Sequence, residues 1–439
     1  MTIGVNRLVS MGLILGALVC APPSASAQQN PDSPQALREQ IDKLRADFEA
    51  LQKEYRDRLS ALEAALGAVQ SPQQPATAPA AAAQTPATPA ALAIPGGQDT
   101  LPGVSQPGSG ASKVFNPDMA VIGNFVGAAG RNTVAPEPAM QMREAEASFQ
   151  AIVDPYARAD FFMAFGESGV DLEEGYVTFP AIPGGLLVKA GKMRAAFGKV
   201  NTFHSHIMTS VDRPLVTTNL LGGEDGINDA GFSVARLIPN KWIFLEATGQ
   251  VFRGDSDDVF HSSTRGDLTY LGHVRAYHDI TESSNLDIGG SYARGHNNSG
   301  VIDETDVGRF TTDLYGFDAT FRWRPLQRSI YRSFVARSEL AWSRRQQPDG
   351  RQSSFGYYIS GDYQLARRWF GGARYDRSDR AEAQALQDRG LSLIVTYWPS
   401  EFGQVRGQYR RTTYAEGPTA DELLFQFQYS IGAHGAHPF

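Results

Sequence analysis

Residues 420–432 read ADELLFQFQYSIG, and this stretch decides the fold class. Its large apolar residues at odd positions, from Leu423 to Ile431, fall on one face of an extended strand, and Gln426 and Gln428 fall on the other. The same alternation appears in YGFDATFRWRP (315–325) and SFVARSELAWSRR (333–345). These strands span about 10–14 residues, beyond the usual five or six of soluble sheets, and aromatic residues lie near their ends. The pattern predicts a transmembrane antiparallel β-barrel.

About sixteen such segments are expected, with a range of roughly 14–18, separated by turns rich in Gly, Asp, Asn, Ser and Pro. Their predicted centres are Val121, Ala147, Phe161, Tyr176, Val188, Ser233, Leu245, Val274, Ile288, Phe317, Ala336, Ile359, Ala373, Ile394, Gly407 and Phe427. A soluble β-sandwich or a β-solenoid is the alternative. Strand length and an export signal favour the membrane barrel, and an even strand number places both of its ends in the periplasm.

Composition excludes several other classes of protein. The chain has 439 residues, a formal net charge of −7 and a single cysteine, Cys20. The mild acidity argues against a nucleic-acid partner, because phosphate binding needs a concentrated basic surface. One cysteine excludes a disulfide framework. A mean hydropathy of −0.30 excludes a polytopic helical membrane protein.

Four regions are predicted along the chain. Residues 1–27 form a signal peptide, with Arg7 before a short apolar stretch and an Ala-Ser-Ala cleavage site at 25–27. Residues 28–70 carry heptad-spaced apolar residues and predict a periplasmic coiled coil, with a single amphipathic helix as the alternative. Residues 71–115 are an Ala/Pro-rich and then Gly-rich linker. Residues 116–439 form the barrel.

Three stretches resemble a known family of outer-membrane proteins. They are EAEASFQAIVDPYARADFFMAFGE (144–167), EEGYVTFPAIPGGLLVKAGKMRAAFGKVNTFHSH (173–206) and, after DRPL (212–215), GINDAGFSVARLIP (226–239). They are similar to the phosphate-selective porin O/P superfamily of Gram-negative bacteria, whose members carry G-K-x-R/K-x-x-F in an early strand. Here Gly191, Lys192, Arg194 and Phe197 match that element. The resemblance implies a trimeric porin barrel, and the four barrel lysines are not clustered as phosphate selectivity would require.

The residues that carry function in a pore lie opposite the apolar face of each strand. By this criterion the predicted pore-lining residues are Arg275, Arg322, Arg324, Arg337, Glu339, Arg374, Asp376, Arg406 and Arg410. Arginines could attract anions, and carboxylates facing them, such as Glu144, Glu146, Glu173 and Glu174, could set up a transverse field; the alternative is a simply hydrated lumen of mutually paired charges. The irregular stretch from about Thr202 to Asn228 is the candidate for a loop folded into the lumen.

Neither a catalytic motif nor a cofactor site is predicted. His204, His206, His434 and His437 are weak metal-ligand candidates, and no metal is assigned. The sequence therefore predicts an outer-membrane porin for passive diffusion of small hydrophilic solutes or ions, with an anion preference. The expected partners are outer-membrane lipid, the barrel-assembly machinery and two further copies in a homotrimer. A TonB-type or metal-related receptor, with about 22 strands, and a tether to peptidoglycan are the alternatives.

Overall fold

The computed structural model describes residues 117–167, 169–256, 259–302, 305–306 and 309–432. Over these residues sixteen antiparallel strands close into one barrel, and two further short strands form a hairpin in a loop. The predicted signal peptide, coiled coil and linker lie outside the described residues, as do His434 and His437. The fold class predicted from the alternating pattern is therefore confirmed.

The strands follow one another round the barrel in chain order. The barrel strands are β1 (Asp118–Arg131), β2 (Met140–Asp154), β3 (Ala157–Gly166), β4 (Gly169–Ile182), β5 (Leu186–Arg194), β6 (Asn228–Leu237), β7 (Phe244–Phe252), β8 (Thr269–Thr281), β9 (Ser284–His296), β12 (Thr311–Trp323), β13 (Phe334–Gln347), β14 (Gly350–Ala366), β15 (Trp369–Asp379), β16 (Gln387–Ser400), β17 (Gly403–Thr413) and β18 (Thr419–Gly432). The hairpin strands are β10 (Val301–Ile302) and β11 (Thr305–Asp306). Pairing of β1 with β18, from Ala120↔Gly432 to Arg131↔Asp421, closes the barrel.

Each of the sixteen predicted strand centres falls in a different barrel strand. Strand lengths depart from the prediction at both extremes. The strands β5 and β7 have nine residues, whereas β14 has seventeen because its hairpin with β13 continues to Gln347↔Gly350. Sixteen strands are also fewer than the roughly 22 of TonB-type receptors.

The two faces of the wall differ in chemistry. In β18, Leu423 and Ile431 are each 63% exposed on the outer face, whereas Gln426 and Gln428 are buried on the inner face. Gln426 donates a hydrogen bond to Asn124 of β1 at 2.9 Å, across the closing seam. A chain with this alternation can satisfy its polar side chains only if the inner face surrounds water or other polar groups.

The hydrophobic core lies inside the barrel, around a segment inserted between β5 and β6. Phe197, Val216 and Leu220 of this segment pack with wall residues that include Leu314 and Tyr358. A short helix, Leu215–Leu220, is part of it. Within the described ranges, no helix has both the length and the apolar character needed to cross a membrane.

Candidate functional site

Residues 195–227, here called the inserted segment, leave the wall at the end of β5 and fold into the lumen. The segment begins at Ala195 rather than at Thr202 as predicted, because β5 ends at Arg194, within the family-like element. Gly191 has φ +142°, and a Cβ there would lie 2.1 Å from the carbonyl oxygen of Gly175. Phe197 then carries the chain into the core with 1% of its surface exposed.

Asn201 holds the two ends of the inserted segment together. Its side-chain amide donates to the carbonyl oxygens of Ala195 (2.9 Å) and Ile227 (3.0 Å) and accepts from the Ile227 N–H at 2.8 Å. The backbone N–H of Ala195 also donates to Ile227 at 2.8 Å. Asn201 is fully buried, so these bonds compete with no water and define a closed base for the segment.

The first part of the segment reaches β9 and β13, the latter six strands from β5 round the barrel. Gly198 donates through its N–H to Ser291 at 3.0 Å, and Val200 donates to the Glu339 carboxylate at 2.7 Å. The Lys199 ammonium lies 3.0 Å from Asp287. The predicted pore residue Glu339 thus anchors the segment by accepting backbone hydrogen bonds.

The chain then returns to β2 and β4, where Glu144, Glu146, Glu173 and Glu174 form a carboxylate cluster. The His204 Nδ1 atom lies 2.6 Å from Glu173 and 3.0 Å from Glu146, and its Nε2 atom lies 2.8 Å from Glu174. Burial alone would lower the pKa of His204, but the charge of Glu146 and hydrogen bonds to the carboxylates outweigh it and raise that pKa well above its usual value.

His206 and Ser205 complete this contact. The His206 Nδ1 atom lies 3.2 Å from Glu146, and the Ser205 hydroxyl donates to Glu144. The Asn124 amide of β1 donates to the Ser205 hydroxyl at 3.2 Å. The structure therefore brings the predicted histidines 204 and 206 together with four carboxylates that the sequence pattern placed on the inner face.

The next part of the segment crosses to β15 and β17, and β15 is seven strands from β4 in a barrel of sixteen. There Asp212 accepts hydrogen bonds from Arg374 (2.9 Å), Arg410 (3.2 Å) and Gln408 (2.6 Å). Burial alone would raise the pKa of Asp212, but the facing guanidinium groups of Arg374 and Arg410 hold it well below its usual value.

Other contacts extend this attachment. Arg374 also donates to the Ser210 hydroxyl at 2.6 Å, and Arg406 donates to the Ser210 carbonyl oxygen at 3.3 Å. The N–H of Leu215, which begins the short helix, donates to Asp376 at 3.2 Å. We call Arg374, Arg406 and Arg410 the arginine cluster. It and the carboxylate cluster lie on walls that the inserted segment bridges, so the segment crosses the lumen between charges of opposite sign.

Three of the remaining predicted pore residues, Arg275, Arg322 and Arg337, pair with carboxylates of the inner wall. Arg275 donates two hydrogen bonds to Asp287, at 2.7 and 2.9 Å, and Arg322 lies 3.8 Å from the same carboxylate. Arg337 pairs with Asp362 at 3.0 Å. Arg324 lies one residue beyond β12 and donates to the Ser329 carbonyl oxygen in the following turn at 3.0 Å.

The family-like element has a local structural explanation. Arg194 donates to the Asp225 carbonyl oxygen at 2.7 Å and lies 3.4 Å from Glu173, so it joins the start of the inserted segment to its end and to β4. Lys192 lies 3.6 Å from the exposed carboxylate of Asp171. Sequence reasoning missed Asn201 and Asp212. The only signal for Asp212 was its place in the DRPL stretch, because its partners are far away in the chain.

Comparison with known proteins gives distant similarity. No protein-family model matches the sequence. The chain is similar to an uncharacterized protein of Aquifex aeolicus (strain VF5), with 29% identity over 330 residues that cover 67% of this chain and 69% of the relative.

Several solved outer-membrane proteins align with the chain at low sequence identity. An anion-selective porin from Comamonas acidovorans aligns with a TM-score of 0.49 and 11% identity, covering 72% of this chain and 99% of the porin. The outer membrane channel DcaP of Acinetobacter baumannii aligns at 0.48 with 11% identity, covering 72% and 96%. OprB of Pseudomonas putida aligns at 0.48 with 10% identity, covering 73% and 95%. Membership of the phosphate-selective branch stays a prediction.

Proposed function

We propose that this protein is an outer-membrane porin through which small hydrophilic solutes or ions diffuse passively past a constriction formed by the inserted segment. The observation that carries the proposal is the combination of an apolar outer face, a polar inner face and residues 195–227 held inside the closed barrel. A wall of this kind is at its lowest free energy with lipid outside and water inside. The segment then determines which solutes pass.

An anion preference is proposed for the constriction. Arg374 and Arg410 each face carboxylates, but Arg406 donates to the neutral oxygens of Thr396 (3.1 Å), Gln426 (2.7 Å) and Ser210. Its charge is therefore not cancelled within those hydrogen bonds, and the carboxylate that acts on it, Asp362, is also paired with Arg337. Because Arg406 is buried in the wall beside the segment, its field is weakly screened and favours anions nearby.

Planar-bilayer recording of the purified protein in a KCl gradient tests both parts of the proposal. We expect stepwise, ohmic openings and a reversal potential of the sign set by chloride permeation. Arg406→Gln should shift the reversal potential toward the equilibrium potential of potassium. Arg389→Gln, the same substitution at an exposed residue of β16 that donates to Gln387, is the matched control and should leave it unchanged.

Two outcomes would contradict the proposal. If the folded, heat-modifiable barrel shows no conductance, it is not an open pore, and the alternative of a tether to peptidoglycan is favoured. Cation-selective openings that are unchanged in Arg406→Gln would support the porin but contradict the anion preference. A homotrimer in the outer membrane, with residues 28–70 as a periplasmic coiled coil in contact with peptidoglycan, is proposed in addition. Chemical cross-linking of full-length protein, and peptidoglycan pull-down with and without residues 28–70, test these parts.

A further inference from the structure

Three metal-ligating groups from three separate elements converge beside the inserted segment. The Glu146 carboxylate comes from β2, the Glu173 carboxylate from β4 and the His204 imidazole from the segment, and their ligand atoms all lie within 4.8 Å of one another. All three side chains are at least nine-tenths buried. We propose that Glu146, Glu173 and His204 bind one divalent transition-metal ion, with zinc as the representative ion, and that the ion fixes the inserted segment to the wall.

A buried oxygen of the cluster lacks a hydrogen-bond donor. Glu146 is 1% exposed, and its Oε2 atom has no hydrogen bond within geometric limits, with His204 Nδ1 at 3.0 Å and His206 Nδ1 at 3.2 Å as its ion-pair contacts. A buried carboxylate oxygen without a well-aligned donor is unfavourable. A cation placed among Glu146, Glu173 and His204 would give this oxygen a partner.

Charge in the cluster favours a divalent ion. Four carboxylates, Glu144, Glu146, Glu173 and Glu174, lie in the cluster, and Arg194 lies 3.4 Å from Glu173. Buried negative charges are expensive unless cations compensate them. A divalent ion neutralises two of them at once, whereas a proton on an imidazole neutralises one.

The orientation of His204 suits metal ligation. Its Nε2 atom lies 2.8 Å from the Glu174 carboxylate, to which it can donate its N–H. Once a metal ion displaces the proton that Nδ1 shares with Glu173, the Nδ1 lone pair is directed toward Glu146 and Glu173. A carboxylate that accepts the second N–H of a ligating histidine is the usual outer partner at protein metal sites. His206 Nδ1, 3.2 Å from Glu146, supplies a nitrogen for the fourth position. Two nitrogen and two oxygen donors are a set that zinc binds well.

Metal content of the full-length protein tests the site. The purified protein is stripped with EDTA, reloaded with ZnCl₂ and dialysed, and bound zinc is measured by mass spectrometry and titration calorimetry. We expect one ion per chain and binding that is at least about 10-fold weaker in Glu173→Gln. Glu246→Gln, the same substitution at a buried inner carboxylate of β7, is the matched control and should bind zinc normally. The double variant His434→Ala, His437→Ala should also bind zinc normally.

A second measurement needs no variant. Crystals of the unmodified protein soaked in ZnCl₂ should show anomalous density between Glu146 and His204, which decides the matter even where Glu173→Gln fails to fold. Absence of uptake, unchanged affinity in folded Glu173→Gln, or density only near His434 and His437 would each overturn the proposal. Because zinc uptake is measured without ion conduction, this result is independent of whether the barrel is an open pore.

Discussion

Asp212→Ala should weaken the attachment of the inserted segment to β15 and β17 without unfolding the barrel. The carboxylate of Asp212 accepts three side-chain hydrogen bonds, from Arg374, Arg410 and Gln408. Arg374 keeps Asp376 at 2.7 Å, and Arg410 keeps a partner on β18, so neither guanidinium is left alone. Hydrogen bonds to charged groups contribute about 1.5–3 kcal/mol each, and the retained partners reduce the loss, so we expect about 3 kcal/mol in total.

A loss of about 3 kcal/mol raises the undocked fraction of the segment roughly 100-fold. Native-state hydrogen exchange measures this fraction at the N–H groups of Val211, which donates to Gln408, and of Leu215, which donates to Asp376. Their protection factors should fall by about two orders of magnitude, while those of the β1–β18 seam should not change. Single-channel records should show larger and noisier openings.

The control substitution is Asp421→Ala, which removes an exposed carboxylate that lies 3.6 Å from Arg411. Exposed ion pairs contribute about 0–1 kcal/mol, so protection of the inserted segment should stay at the wild-type level. If Val211 and Leu215 exchange within twofold of wild type in Asp212→Ala, the contacts to β15 and β17 do not hold the segment, and the reasoning is wrong.

Three further predictions concern Gly191, Phe197 and the pH dependence of the Asp212 contacts. Gly191→Ala should destabilise the barrel by several kcal/mol, seen as a lower temperature of heat modification, because φ is +142° and the new Cβ would meet backbone; Gly249→Ala has open space and should be neutral. Phe197→Ala should cost about 3–5 kcal/mol through a buried cavity and should raise hydrogen exchange throughout the inserted segment. The pKa of Asp212 is lowered in the folded protein, so the stabilisation that its carboxylate provides is complete above its unfolded pKa and is lost only as pH falls below about 4. The difference in hydrogen-exchange protection of the inserted segment between wild type and Asp212→Asn should therefore be the same at pH 5 and pH 8.

The strands could be predicted from the sequence because their signal is local. Lipid outside and polar groups inside impose a two-residue period on every strand, and stretches such as Leu423 to Ile431 display it without reference to any other part of the chain. Strand ends were less accurate, since hairpin extension at β14 and the end of β5 at Arg194 depend on contacts with other parts of the chain.

The site could be predicted only in part. The alternation of side chains along each strand predicted that Arg374, Arg406 and Glu339 lie on the inner face, but it gave no information about which residues they contact. Asp212 and Gln408 are 196 residues apart, and their contact exists only after the barrel has closed. Asn201 shows no pattern at all, because one buried asparagine in an irregular stretch looks like any other turn residue.

The hydrogen bonds of Asn201 close the inserted segment at its base. Both ends of the segment, Ala195 and Ile227, are joined to each other as well as to the wall, so the bonds at its base also support the register of β5 against β6. For protein engineering, substitutions between Asn201 and Gly226 that keep Val216 and Leu220 in the core are the way to change the lumen while this base stays intact.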